Sequence, residues 1–225
     1  MYLLLLHNMS YTWKEGVELY PILMALIGYL TGCMNGSQII SKYKHINIRN
    51  GGSKNAGATN TALQIGMKYG AFVAFIDVFK AIISLYLAAL LLMNVDILFE
   101  YKILLLYINA VFIIIGHNFP ITMQFKGGKG TASFLGVLLF MDWRFAMVAF
   151  LIFLLIALAT NYFVIGTLAG YLAFIAYTIL MHDKGPVYLS FVLTFLFLFK
   201  HIDNFKRIAH KEERKLSSLF HKEAG

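Results

Sequence analysis

The sequence predicts an all-α, polytopic membrane protein with seven transmembrane helices, its N-terminus outside and its C-terminus cytoplasmic. Three observations carry this expectation. The chain is 60% hydrophobic and only 13% charged, with a mean hydropathy of +0.72, whereas an average soluble domain is roughly 25% charged. Apolar stretches that approach or reach spanning length recur along it. They lack the two-residue alternation of a membrane barrel, so backbone polar groups must be satisfied inside helices. Finally, Lys and Arg fall mostly on one side of the expected spans, which orients the bundle.

The first span is expected at 19–42, from the apolar run that opens at Leu19 to Lys42. The others follow at 69–93, 101–116, 131–141, 144–160, 163–181 and 186–200. At ~1.5 Å per residue the fourth cannot cross a ~30 Å core alone. Either the loop before it is helical at its end, or that helix lies buried within the bundle. The loops after spans one and three and the tail hold Lys42, Lys44, Arg49, Lys54 and Lys68, then Lys126 and Lys129, then Lys200, Lys206, Arg207, Lys211, Arg214, Lys215 and Lys222. The opposite side holds Lys14, Lys102, Arg144 and Lys184, and Lys80 sits within span two. One integral-membrane domain therefore fills 1–225, with 1–18 as an outer N-terminus and 201–225 as a basic, amphipathic cytoplasmic tail at the interface. The outer loops are too short to build a site, which leaves polar chemistry to the cytoplasmic face. The net charge of +8 suits inner loops and anionic lipid rather than nucleic acid. The opening MYLLLL run is too short and too poorly flanked to read as a signal peptide. A lone cysteine, Cys33, excludes an intrachain disulfide and a cysteine metal cluster. No metal or cofactor is indicated.

Two inner loops carry the chemistry. The first, 35–66, combines Gly36, Gly51, Gly52, Gly57 and Gly66 with Ser37, Arg49, Ser53, Asn55, Thr59 and Asn60. Glycines let a backbone approach an anion closely, and a guanidinium matches phosphate oxygens. An ordinary polar loop whose glycines serve turns has the same composition. The second loop, "GHNFPITMQFKGGKG" at 116–130, places Lys126 and Lys129 among Gly127, Gly128 and Gly130. It is not a P-loop, lacking both the spacing and the preceding strand. Thr131 opens a helix directly after it, so backbone N–H groups, lysine charge and helix dipole would converge on one anion. His117 suits either proton transfer or capping of span three, and Asn118 and Pro120 suit the turn. In span two, Asp77 and Lys80 share a face. They form either a packing salt bridge or added positive charge for the site. Thr167 lies early in span six. His201, Asn204 and Arg207, three apart, share a face at the foot of span seven. No carboxylate pair, metal spacing or Ser/His/Asp triad is evident.

Taken together, the loops resemble the bacterial acyl-phosphate:glycerol-3-phosphate acyltransferases of the PlsY type. The resemblance rests on Gly36-Ser37, Asn47-Ile48-Arg49, "GGSKNAGATN" at 51–60, Asp77 and Lys80, "GHNFP" at 116–120, "FKGGKG" at 125–130, and His201, Asn204, Arg207 and Glu213. It implies seven transmembrane helices in the bacterial plasma membrane, a cytoplasmic site, and acyl transfer from acyl-phosphate to the 1-hydroxyl of glycerol 3-phosphate without a cofactor. It further implies Ser37, His201 and Asn204 as catalytic residues. Arg49 with Lys80 or Lys54 would take glycerol phosphate, and the loop of Lys126, Gly127, Gly128, Lys129 and Gly130 would take acyl-phosphate. Ser53, Asn55, Asn60 and Thr167 would line the substrate site, with His117, Asn118 and Pro120 structural. The chain departs from the pattern at Asn47 (Asp in the family), at Lys54 and Lys211 (Gly), and at Val164, where a serine is usual. It therefore resembles a divergent member. The alternatives are a non-catalytic or altered-substrate paralogue, or a transporter or flippase of a phosphorylated metabolite or lipid. Against the latter, no inverted repeat is visible.

Overall fold

The computed structural model describes residues 16–219. Most of the outer segment 1–18 and the last residues of the 201–225 tail lie outside them. Among the described residues the structure is all helical: α1 (Leu19–Gly32), α2 (Gly36–Lys44), α3 (Ala58–Ile65), α4 (Met67–Met93), α5 (Phe99–Asn118), α6 (Thr131–Met141), α7 (Trp143–Thr160), α8 (Phe163–Met181) and α9 (Lys184–Ala209). Six helical stretches among the described residues are long and apolar enough to cross a membrane, α1 and α2 counting as one, and α6 is a shorter apolar helix.

The first expected span is broken. α1 stops at Gly32 and α2 restarts at Gly36, because Asn35 accepts the Ser37 N–H at 3.0 Å and caps the new helix. Lys80 of α4 stabilises the break by donating to the Gly32 and Met34 carbonyls at 3.1 and 2.8 Å, groups that a continuous helix would have used itself. The last span is longer than expected. His201 does not begin an interfacial tail, since α9 runs unbroken to Ala209. It ends in a Schellman turn, with the Lys211 and Glu212 N–H groups donating to Ile208 and Arg207 carbonyls at 3.0 and 2.7 Å.

In lipid, apolar side chains gain little by packing on one another, so close backbone approach and polar cross-links hold helices together. Gly28 and Gly32 press α1 against α5 so tightly that a Cβ on either would strike the Asn109 or Ile113 carbonyl. Asn109 of α5 donates to the Met24 carbonyl at 2.9 Å and accepts from Ser84 of α4 at 3.0 Å. An aromatic stack fills the other half of the bundle: Phe134 lies 3.7 Å from Tyr171, and Tyr171 lies 4.6 Å from Phe197, centroid to centroid. The outward faces of α4 and α7 carry exposed Phe, Leu and Met, as lipid-facing helices do. α6 packs between α4 and α7. Its start lies beside Asn204 of α9, because Lys129 donates to the Asn204 amide oxygen. At its other end, Asp142 accepts from the Tyr177 hydroxyl at 3.0 Å.

Candidate active site

A cavity of about 760 Å³ opens where the two inner loops, the first turns of α6 and α8, and the end of α9 meet. Its loop wall is Gly52–Asn55 and Gly57–Asn60. Asn60 organises this wall and has little left to offer a ligand: its amide donates to the Ile48, Gly51 and Asn55 carbonyls and accepts the Ser53 N–H at 2.9 Å. Ser53, Lys54 and Asn55 do face the cavity. Lys54 adopts φ +55, in the left-handed region, where the glycine of the resembled pattern would sit without strain. Asn47 is a mild departure, since its amide oxygen accepts the Arg49 N–H at 3.0 Å as a carboxylate would.

The second loop is used differently from expectation. Gly127 and Gly128 do not form an anion nest. Their N–H groups donate to the Asn118 and His117 carbonyls, each at 3.1 Å, and so cap α5 with backbone. They are glycines for proximity: a Cβ on Gly127 would meet the His117 carbonyl, and one on Gly128 the His117 ring. Lys126 is exposed and lines no part of the cavity. Lys129, Gly130, Thr131 and Ala132 do line it. Gly130, at φ +83, turns the chain into α6, and the first-turn N–H groups of α6 complete a cationic corner with Lys129. Burial holds the Lys129 ammonium down to a pKa of about 8, helped by nearby Arg207 and opposed by Glu213 and Asp203.

His117 is not a cap made through its ring. It is buried and faces the cavity, with Nδ1 2.7 Å from Lys80 Nζ and 3.6 Å from Asp77 Oδ1. Lys80 also donates to Asp77 Oδ1 at 2.9 Å. With its protons spent on helix carbonyls, Asp77 and His117, Lys80 stands behind the cavity as a packing ion pair, not at its surface. Asn118 shapes the loop through its main chain: its carbonyl accepts from Gly127 and, at 3.3 Å, from Lys200. Pro120 completes the turn, its carbonyl accepting the Met123 and Phe125 N–H groups at 3.0 Å.

Ser37 and Arg49 lie elsewhere. Both line a shallower cleft of about 530 Å³ beside Thr122 and Met123. The Ser37 hydroxyl donates to Asn35 at 2.7 Å, and Arg49 donates to the Met123 and Lys126 carbonyls at 3.3 Å. Arg49 is thus a strut that joins the two inner loops.

At the foot of the bundle, His201, Asn204 and Arg207 face the cavity as their spacing predicts. His201 Nδ1 lies 2.9 Å from the Phe197 carbonyl. A carbonyl only accepts, so Nδ1 carries the proton and Nε2 is left free. Asn204 bridges Lys129 to Glu213 Oε1, the latter at 2.6 Å, while Arg207 pairs with Glu213 Oε2 at 2.7 Å. The residues after α9 then cross the mouth and are fastened to Asn161, whose carbonyl accepts the Leu216 N–H at 2.8 Å and whose amide oxygen accepts the Ser217 N–H at 2.9 Å. Sequence spacing carried no sign of this strap. Val164 and Thr167, one turn apart on α8, form a buried side wall. The Thr167 hydroxyl donates to the Phe163 carbonyl at 3.0 Å, so it can only accept from a ligand. Beyond them the cavity turns apolar, between Phe134, Leu138, Ala149 and Phe153.

A basic corner opening onto an apolar arm inside a helical bundle agrees with the comparisons. The profile of the glycerol-3-phosphate acyltransferase family matches residues 22–211. "Glycerol-3-phosphate acyltransferase 1" of Oceanobacillus iheyensis is 46% identical over 206 residues, covering 92% of this chain and 100% of the relative. The Finegoldia magna glycerol-3-phosphate acyltransferase is 36% identical over 204 residues, covering 88% and 97%. The crystal structure of PlsY (YgiH), an integral membrane glycerol 3-phosphate acyltransferase, in its glycerol 3-phosphate form superposes with a TM-score of 0.78 at 28% identity, covering 89% of this chain and 99% of that one. Its lysophosphatidic acid form superposes with a TM-score of 0.76 at 26% identity. A match that runs from the first span past the end of α9, on a shared fold, leaves one assignment: the chain belongs to the glycerol-3-phosphate acyltransferase family.

Proposed function

We infer that the protein moves an acyl group from an acyl-phosphate to the 1-hydroxyl of glycerol 3-phosphate, giving lysophosphatidate and inorganic phosphate at the cytoplasmic face of a bacterial plasma membrane. One observation carries this reading. A single cavity is basic at the loop end, with Lys54, Lys129 and Arg207, and apolar at the other, with Phe134, Leu138 and Ala149. An acyl-phosphate has the same polarity along its length. α6, counted as a crossing, brings the number of spans to seven and the termini to opposite sides. Its ends contact residues at opposite ends of the bundle. The Lys and Arg asymmetry supports the loop end as cytoplasmic.

In this reading the glycerol hydroxyl attacks the acyl carbonyl carbon, the new ester C–O bond forms, and the acyl C–O bond to phosphate breaks. Phosphate leaves as an anion, so no covalent enzyme intermediate is needed. His201 Nε2, the free ring nitrogen at the cavity wall, is the group suited to accept a hydrogen bond from the attacking hydroxyl, whose proton leaves with the phosphate. Lys129, Lys54 and the start of α6 stabilise the developing phosphate charge. Asn204, with both amide atoms engaged, is a positioning residue that aims Lys129. Arg49 acts by holding the two loops together, and Ser37 by bracing the start of α2 beside Asp77, whose carboxylate accepts the Gly36 N–H at 3.3 Å.

The test is direct. Purified protein given an acyl-phosphate and labelled glycerol 3-phosphate should form labelled lysophosphatidate, and Lys129→Gln should lower kcat/KM by about tenfold to a hundredfold, as loss of a charged phosphate contact does. Absence of product from the wild-type protein rejects the reaction. Full activity of Lys129→Gln rejects the basic corner as its phosphate site.

A further inference from the structure

Gly170 sits in the interior of α8, where glycine weakens a helix relative to alanine. Other helical glycines have a packing reason. A Cβ on Gly28, Gly32, Gly116, Gly136 or Gly166 would collide with a neighbouring helix's backbone carbonyl. Gly170 has no such neighbour. A Cβ there meets only the Ala149 carbonyl oxygen, at 4.0 Å. The residue is nevertheless buried, and it lines the cavity. α7 and α8 press together at Gly166, where an added Cβ would strike Ala157 and the Phe153 carbonyl, and are less close one turn later, where a Cβ would only reach ordinary contact with Ala149. Among the lining residues, Gly170, Ala149 and Leu138 lie farthest along α8, α7 and α6 from the loop end, so they mark the inner end of the apolar arm. Leu138 lies about 10 Å along α6 from Thr131, at the basic corner. A ligand whose phosphate is held at Lys129 therefore points its tail at Gly170.

We propose that Gly170, with Ala149 and Leu138 around it, sets the length of acyl chain this enzyme accepts, the missing side chain being the room taken by the chain's last carbons. This rests on the acyl-transfer reading above. Side chains at position 170 fill that room from the helix outward, so they should penalise long chains more than short ones.

The experiment compares hexanoyl and hexadecanoyl phosphate as donors for wild type, Gly170→Ala and Gly170→Leu. A parallel measurement follows thermal stabilisation of the same proteins by hexanoyl and hexadecanoyl lysophosphatidate. Gly170→Leu should lower the long-to-short ratio of kcat/KM by about tenfold or more, the scale on which an apolar pocket discriminates methylenes. Gly170→Ala should lower it less, in the same direction, and serves if the leucine variant does not fold. Stabilisation by the long lysophosphatidate should weaken more than that by the short one. An unchanged ratio in both measurements, or equal loss on both chain lengths, overturns the proposal. If the wild-type protein uses neither acyl-phosphate, the donor assignment fails, while the lysophosphatidate measurement still decides the role of Gly170.

Discussion

Lys129 is a cation that the fold keeps close to losing its charge. It is buried among Asn204, Arg207 and the start of α6, and its pKa sits at about 8. If the proposed phosphate site is right, the charged form, present below that value, holds phosphate, and the neutral form above it does not. The KM for phosphate substrates should therefore rise as pH climbs through about 8, with kcat/KM falling. Lys129→Arg should remove that inflection, because a guanidinium stays charged throughout. A Lys129→Arg profile that keeps the wild-type inflection would assign the titration to another group. At this scale the sequence was half legible. The basic and glycine character of both loops identified the neighbourhood, and Lys129, Gly130, Lys54, His201 and Asn204 do meet there. Spacing did not reveal that the Gly127 and Gly128 amides are consumed by α5, and for Lys80 it offered both the packing ion pair that the structure shows and a substrate contact. Those outcomes depend on which carbonyls a neighbouring helix leaves unpaired.

Among the elements, the end of α9 shows how one backbone angle shapes the site. Lys211 adopts φ +61 in the Schellman turn, which redirects the chain so that Glu213 reaches Asn204 and Arg207. The left-handed conformation costs a non-glycine residue about 1–2 kcal/mol. Lys211→Gly should therefore stabilise the turn by about 1 kcal/mol, less what glycine adds to the freedom of the opened chain. Slower hydrogen exchange at the amides of Glu212 and Glu213 would report it, and faster exchange there would refute it. The departures at Lys54 and Lys211 share one feature: both lysines adopt positive φ, a conformation that favours the glycine of the resembled pattern. The helices themselves were legible from apolar run length, and α6 and α8 fall on the expected residues. The break after Gly32 and the extension of α9 were not, because a Lys80 contact forty-odd residues away and a C-terminal turn decide them.

At the scale of the whole molecule, the charge asymmetry makes a testable statement about sidedness. On a Cys33→Ala background, Asp183→Cys should react with an impermeant maleimide from outside intact cells, and Lys206→Cys only after the membrane is opened. Both positions are exposed and lie at opposite ends of α9. Labelling of both from the same side would overturn the seven-crossing arrangement. By itself the sequence determined the environment and the chemistry class: composition requires a bilayer, run length requires helices, and paired motifs on one side define a phosphate-handling family. Only the tertiary structure decided which of the candidate cations share a cavity, that Arg49 and Lys80 brace it instead of lining it, and that an apolar arm ends at Gly170. The physical reason is that hydropathy and periodicity are properties of a segment and its solvent. The fate of a buried N–H, ammonium or empty Cβ position is set by the neighbouring helix, and in lipid that neighbour is chosen by close backbone packing.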